Sequence, residues 1–192
     1  MRRHHRTVIP FLGSVDLGFF YYILAAVFIV GMVNAVNFTD GIDGLNTSVT
    51  LVVALVFSVI AMLLNRVGLS LYAAAIVGAM IGFLFWNANP AKVFMGDTGS
   101  LFLGGAVCAL AFGVDMPILL ILIGIIYIVE ILSVVLQVTY FKISHGKRIF
   151  KMAPIHHHFE MCGWNENKIC FVFSGVTLFA GIIGVLLAVF GC

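Results

Sequence analysis

The chain alternates between long apolar runs and short polar segments. Six runs have roughly the 17–24 residues that an α-helix needs to cross a bilayer, although the fourth is short, and none shows the two-residue alternation of a barrel strand. The predicted spans are residues 17–36, 47–64, 69–87, 99–114, 117–139 and 170–190. The pattern predicts an all-α, polytopic integral membrane protein with about six transmembrane helices and polar connecting loops, forming a single membrane domain over residues 1–192.

Composition indicates the same class of protein. Hydrophobic residues make up 62% of the 192 residues and charged residues only 9%, a balance that is stable only with lipid as the surrounding solvent. The net charge of +2 is small, so we expect a lipid bilayer and no nucleic acid as a partner. The four cysteines show no paired spacing, and we interpret them as apolar free thiols.

Alternation of the six spans divides the connecting segments between two membrane faces. Residues 37–46, 88–98 and 140–169 fall on one face, whereas the N-terminus, 65–68 and 114–116 fall on the other. The first face carries Lys92, Lys142, Lys147, Arg148, Lys151 and Lys168, and the second carries Arg2, Arg3, Arg6 and Arg66. The positive-inside rule therefore places the first face in the cytoplasm. The N-terminal arginines are an exception, and one interpretation is that the natural membrane protein begins before residue 1.

The segment "NAVNFTDGIDGLN" concentrates polar residues between the first two spans. Asn34, Asn37, Asp40 and Asp43 recur every three residues, and a glycine follows each aspartate. We expect the helix to end near Asn37, and the glycines to let the chain turn so that both aspartates lie over the helix end. The alternative is an aspartate that caps the next helix, which explains one acid but not the whole set.

The segment "NPAKVFMGDTGSLFLGG" is the second polar motif. An Asn-Pro step ends the preceding helix, after which Lys92 supplies a cation, Phe94 an aromatic face and Asp97 a carboxylate next to Gly96. A carboxylate on a glycine-flanked turn at a helix start is a candidate Mg²⁺ ligand, because hard cations prefer oxygen and phosphates approach bare backbone. The alternative is that Asp97 or Ser100 only caps the fourth span.

The segment "KRIFKMAPIHHHFEMCGW" is the third polar motif. His156, His157 and His158 are consecutive, so they cannot share one helix face and are a poor zinc site. Pro154 predicts an extended segment. Imidazoles beside a basic cluster suit contacts with phosphate oxygens, and the alternative is a merely interfacial histidine cluster.

Together with "YIVEILSVVLQVTYFK", these motifs resemble the phospho-N-acetylmuramoyl-pentapeptide transferase family, over nearly the whole chain beyond residue 10. The first two motifs are shared with the wider polyprenyl-phosphate sugar-1-phosphate transferase superfamily, whereas "MAPIHHHFE" narrows the resemblance to the muramoyl-pentapeptide branch. It implies Mg²⁺-dependent transfer of phospho-MurNAc-pentapeptide from UDP-MurNAc-pentapeptide to undecaprenyl phosphate, giving lipid I and UMP. The implied location is a bacterial plasma membrane, with the active face in the cytoplasm.

The resemblance also implies roles for individual residues. The catalytic residues would be Asp97, Asp40, Asp43, His156 and His157. The nucleotide- or substrate-binding residues would be Asn37, Phe94, Lys92, His158 and Gly96. The Mg²⁺ ligands would be Asp97 and Asn34. Phe94 would stack on uracil, and Glu130 in the fifth span also matches the family and is not expected to face lipid.

One departure from the family limits what we expect of this chain. Family members have about ten spans and an adjacent aspartate pair in their first half, whereas these 192 residues resemble the last six spans and contain no Asp-Asp pair. We therefore expect the chain alone to bind a uridine nucleotide at most and to form no lipid I. Its exposed small-residue faces, such as Gly78 to Gly82, favour misassembly or oligomers, a homodimer among them.

Three alternatives stay open from the sequence. The first is a sister enzyme that passes HexNAc-1-phosphate to the same lipid, and the second is a fragment without catalysis. The third is a transporter or cation-binding membrane protein, which is disfavoured because the polar clusters lie at one membrane face and not at the midplane.

Overall fold

The computed structural model describes residues 6–11 and 13–191, and these residues are mostly helical. The elements are β1 (Arg6–Ile9), β2 (Gly13–Asp16), α1 (Phe20–Phe38), α2 (Leu45–Leu63), α3 (Val67–Asn87), α4 (Gly96–Gly113), α5 (Leu119–Ile123), α6 (Ile125–Ile143), α7 (Ile155–Glu160) and α8 (Glu166–Phe190). Within this part of the chain, six helices are long and apolar enough to cross a membrane: α1, α2, α3, α4, α6 and α8. The predicted fold class and number of spans are confirmed.

Helix α2 is the centre of the bundle and contacts α3, α8 and α4. Most of α2 is buried, whereas α1 and α3 expose most of their apolar side chains. Glycines let helices approach closely: a methyl group added at Gly181 of α8 would lie 2.4 Å from Val56 Cγ2 of α2. Small residues at helix contacts are typical of membrane bundles, where close packing replaces the hydrophobic effect between helices.

The fifth predicted span, residues 117–139, is divided into two helices. Helix α5 ends at Ile123 and α6 begins at Ile125, so Gly124 separates them. A methyl group at Gly124 would lie 2.7 Å from the Leu120 carbonyl oxygen. The prediction of one continuous helix was wrong because the residues on both sides of the break are equally apolar.

A short antiparallel hairpin precedes the helices and was not predicted, since each strand has only four residues. The Val8 amide donates to the Asp115 carbonyl at 2.9 Å, and the Phe11 amide donates to the Gly191 carbonyl at 2.6 Å. Arg66 Nη2 lies 2.7 Å from Asp115 Oδ2. These contacts confirm that the described segments assigned to the second membrane face lie together. The predicted outer-face residues Arg2, Arg3, His4 and His5 lie outside the described residues, as does Cys192.

The segment after Pro154 is helical, so the predicted extended conformation was wrong. Helix α7 spans Ile155–Glu160, and Pro154 occupies its N-cap position. Proline is compatible with a helix start because the amide it lacks would have no partner within the helix. The three histidines point in different directions from this short helix: His156 is fully buried, whereas His157 and His158 are partly exposed.

Candidate active site

A cleft of about 260 Å³ opens at the end of the bundle opposite to the hairpin. The α1–α2 connection forms one wall, and the segment that leads into α4 forms the other. The cleft brings together six of the predicted site residues: Asn37, Asp40, Asp43, Phe94, Gly96 and Asp97. The first two polar motifs therefore meet, as expected from their shared membrane face.

Asp43 connects the first motif to the second. Its Oδ2 accepts hydrogen bonds from the Ala91 amide at 2.8 Å and from Asn89 Nδ2 at 3.3 Å. Helix α2 begins after Gly44, which has a φ of 75°, and no side chain caps this helix start. The alternative in which an aspartate caps the second span is wrong, because Asp43 uses its carboxylate to hold the neighbouring segment.

Asp97 lies exposed in the first turn of α4. Asn37 Nδ2 donates to Asp97 Oδ1 at 3.0 Å and is also 2.8 Å from Ser100 Oγ. The N-cap residue of α4 is Met95, whose side chain makes no capping hydrogen bond. Neither Asp97 nor Ser100 has the capping role that the sequence left open, and the amide of Asn37 orients the Asp97 carboxylate at the cleft.

Asp40 faces the same cleft from the α1–α2 connection. Burial raises the pKa of Asp40, the negative charge of Asp97 adds to the rise, and a hydrogen bond from the Gly96 amide opposes both, so that the pKa moves from 3.8 to about 6. Two carboxylates thus share one partly buried space in which their mutual repulsion is unfavourable. A bound cation would relieve this repulsion.

A buried polar network supports the cleft from below. Thr47 Oγ1 donates to Asn87 Oδ1 at 2.6 Å, and Asn87 Nδ2 donates to the Val93 carbonyl at 3.0 Å. Asn46 Nδ2 lies 3.4 Å from Met95 Sδ. The sequence interpretation missed Asn87, which lines the cleft. Its position as a lone amide at the end of an apolar span could have identified it, because polar side chains in membrane helices need partners.

Phe94 lines the cleft and is 72% exposed. Lys92 and Asn34 are not among the residues that line it. Lys92 Nζ lies 5.6 Å from the centroid of the Trp86 ring, and the Asn34 side-chain amide donates to the Val30 carbonyl at 2.8 Å. The structure therefore brings Phe94 to the predicted site but leaves the other two side chains outside it.

His156 reaches the first motif from behind the cleft. Its Nδ1 lies 3.0 Å from Glu130 Oε2, and both side chains are fully buried. A methyl group at Gly41 would lie 2.2 Å from His156 Nε2, so the imidazole ring lies directly against the Gly41 backbone. Glu130 thus faces the protein interior and not lipid, as expected.

His157 and His158 have partners within the third motif. His157 Nδ1 bonds to the Glu160 carboxylate, and His158 Nδ1 accepts from the Lys151 amide at 3.1 Å. His158 also makes edge contacts with the ring of Phe150. Neither of these two histidines lines the cleft.

The six candidate spanning helices of the described residues, with a cleft of acids and amides at one bundle end, define a polytopic membrane protein with a polar site at the membrane face. The chain belongs to glycosyl transferase family 4, whose family model matches residues 3–115, more than half of the chain. This family membership agrees with the family resemblance that the polar motifs of the sequence show.

Several curated relatives are named phospho-N-acetylmuramoyl-pentapeptide-transferase. The chain is 56% identical to the protein of Clostridium perfringens (strain SM101 / Type A) over 171 residues, which cover 88% of this chain and 53% of the relative. It is 52% identical to that of Clostridium botulinum (strain Eklund 17B / Type B) over 178 residues, 92% of this chain and 55% of the relative. It is 49% identical to that of Listeria monocytogenes serotype 4b (strain F2365) over 183 residues, which cover 95% of this chain and 56% of the relative. The chain thus spans about half the length of the curated relatives it matches.

Proposed function

We propose that this chain carries the cleft of an enzyme that transfers phospho-MurNAc-pentapeptide from UDP-MurNAc-pentapeptide to undecaprenyl phosphate, giving lipid I and UMP. The observation that carries the proposal is the cleft itself, where Asp40, Asp97 and Phe94 meet at the end of a membrane-spanning bundle. The names of the relatives support this reaction. They do not favour the sister HexNAc-1-phosphate transferase.

The position of the cleft suits a reaction between a soluble nucleotide and a lipid-borne phosphate. The exposed ring of Phe94 offers a stacking surface for uracil. Gly96 begins α4 with a φ of 64° and its amide donates to Asp40, whereas the N-cap side chain makes no hydrogen bond to the amides that follow. Diphosphate oxygens of the donor can approach these amides, since a helix start favours anions.

Mg²⁺ fits the donor set of the cleft. The described residues contain no group of three His, Cys, Asp or Glu side chains that could hold a metal by themselves. Mg²⁺ is commonly held by one or two carboxylates together with substrate phosphates and water, so Asp97 and Asp40 would suffice as its protein ligands. When bound, Mg²⁺ supplies positive charge that stabilises the transferring diphosphate. The contacts of Asn34 give no support to its predicted role as second ligand.

We place the enzyme in a bacterial plasma membrane with the cleft on the cytoplasmic side. The segment between α6 and α7 lies at the same end of the bundle as the cleft, because α7 packs against Gly41 through His156. This segment carries Lys147, Arg148 and Lys151. Basic residues that flank spans favour the cytoplasmic face.

The test is a chimera in which this chain replaces the matching segment of the Clostridium perfringens relative. Membranes that contain the chimera receive UDP-MurNAc-pentapeptide, undecaprenyl phosphate and Mg²⁺, and lipid I is measured. We expect lipid I from the chimera and, from residues 1–192 alone, uridine-nucleotide binding at most. A folded, membrane-inserted chimera that forms no lipid I, or that prefers UDP-N-acetylglucosamine as donor, would contradict the proposal.

A further inference from the structure

Glu130 of α6 and His156 of α7 form a pair that the cleft chemistry does not explain. Both side chains have no exposed surface, and His156 Nδ1 lies 3.0 Å from Glu130 Oε2. Their other polar atoms, Glu130 Oε1 and His156 Nε2, have no hydrogen-bond partner in the part of the chain that the structure describes. Burying two ionisable groups is costly even when they are paired, so the pair needs a reason beyond stability.

The reason lies on the other edge of the imidazole ring. A methyl group at Gly41 would lie 2.2 Å from His156 Nε2 and 2.6 Å from Cε1, so the ring fills the space that a side chain at position 41 would need. Gly41 follows Asp40 directly, and the ring supports this segment from the side away from the cleft. Because His156 is completely covered, it does not touch a ligand in the cleft.

We propose that Glu130 and His156 act as a positioning pair that holds the segment Asp40–Asp43 in the shape that turns Asp40 toward Asp97. The carboxylate fixes the tautomer and rotation of the ring, as second partners of histidines commonly do. The ring in turn holds the backbone at Gly41. The inference rests on the proposed function for the role of Asp40 in the reaction. In it, His156 acts on the reaction by positioning Asp40 and makes no direct contact with the substrate.

Hydrogen exchange of the peptide that covers residues 39–44 tests the pair without any substrate. We expect Glu130→Ala, in residues 1–192 purified in detergent, to raise exchange in this segment by about tenfold, since a buried bond to a charged group is lost. Glu130→Gln should have a smaller effect, because its amide oxygen can still accept from Nδ1–H. The segment 65–69 on the opposite face serves as the internal reference.

Ser133→Ala is the matched control for these variants. Ser133 is buried on the same helix and donates to the Glu130 carbonyl at 2.7 Å, so the substitution removes a buried hydrogen bond but leaves the pair intact. We expect wild-type exchange at residues 39–44 in this variant. Wild-type exchange in Glu130→Ala, or an equal rise in Ser133→Ala, would overturn the inference.

A double-mutant cycle between Gly41 and His156 provides a second test that does not depend on the Glu130 variants. Gly41→Ala should raise exchange at residues 39–44 strongly in the wild-type background, because the new methyl group collides with the ring. In a His156→Ala background the same substitution should add little, since the ring is gone. Additive effects of the two substitutions would show that the ring does not hold the segment.

The chimera links the pair to the reaction. There we expect Glu130→Ala to lower kcat for lipid I formation about tenfold with KM for UDP-MurNAc-pentapeptide nearly unchanged, because Asp40 is misplaced while Phe94 is not, and Glu130→Gln to lower kcat less. A rise in KM with kcat unchanged would overturn the inference. If the wild-type chimera forms no lipid I, the proposed function fails, whereas the exchange measurements and the cycle still decide whether the pair positions the segment.

Discussion

The carboxylate of Asp43 accepts a hydrogen bond from the backbone amide of Ala91 at 2.8 Å, although the two residues belong to different polar motifs. The Asp43 amide donates to Glu166 Oε2 at 2.9 Å, at the start of α8. Asp43 therefore joins three segments that are distant in sequence. Its main contribution is to hold the walls of the cleft together.

We expect Asp43→Ala to lower the free energy of unfolding in detergent by about 1–3 kcal/mol, because the Ala91 amide loses a charged acceptor. The control is Asp43→Asn, whose side-chain oxygen can still accept from this amide and should cost less than half as much. Thermal or denaturant unfolding monitored by helicity measures both. Equal losses in the two variants would show that the negative charge matters and the bond to Ala91 does not.

Asp97→Asn should lower kcat of the chimera by at least about 100-fold while the protein stays folded, because the proposed Mg²⁺ ligand at the diphosphate loses its charge. The activity is measured as lipid I formation over a range of Mg²⁺ concentrations. Asp115→Asn removes an acid on the opposite face, where its exposed ion pair with Arg66 is worth little, and should leave activity unchanged. Near-normal turnover of Asp97→Asn with unchanged Mg²⁺ dependence would exclude Asp97 as a ligand.

Phe94→Ala should weaken UMP binding by about tenfold, since stacking of a base on an aromatic ring contributes roughly 1–3 kcal/mol. Phe94→Trp keeps a stacking surface and should bind nearly as the wild type does. The control is Phe102→Ala, which removes another exposed phenylalanine, 64% exposed on α4. Titration calorimetry with UMP measures the affinities, and an equal loss in the two alanine variants would argue against stacking at Phe94.

The spans were predictable because apolar runs of sufficient length have few alternatives in a bilayer. Their ends were not, since polar residues can continue a helix beyond the hydrocarbon. Helix α4 begins at Gly96, within the polar Gly-Asp-Thr-Gly stretch, and α6 continues to Ile143. The break at Gly124 lies between two apolar runs, so hydropathy gives no indication of it.

The meeting of the motifs at one bundle end was predictable from alternation, but their contacts were not. Periodicity places Asp40 and Asp97 on one face, and the structure places them in one cleft. Periodicity does not show that Asp43 turns toward Ala91, or that His156 points away from the cleft toward Glu130. These orientations depend on backbone turns at the helix ends, which residue types alone do not determine.

The contact between α1 and α4 provides the last prediction, through two adjacent glycines. A methyl group at Gly104 would lie 2.6 Å from Val33 Cα, on the backbone of α1, whereas a methyl group at Gly105 would meet nothing within 4 Å. Gly104→Ala should therefore force the helices apart and cost about 1–3 kcal/mol. Gly105→Ala should be neutral or stabilise by up to about 1 kcal/mol, since alanine favours the helix. The midpoint temperature of unfolding in detergent measures both. Because α1 carries Asn37 and α4 carries Asp97, Gly104→Ala should also weaken the bond between these two residues and reduce lipid I formation by the chimera. Equal midpoints for the two alanine variants would show that α1 and α4 do not approach each other this closely.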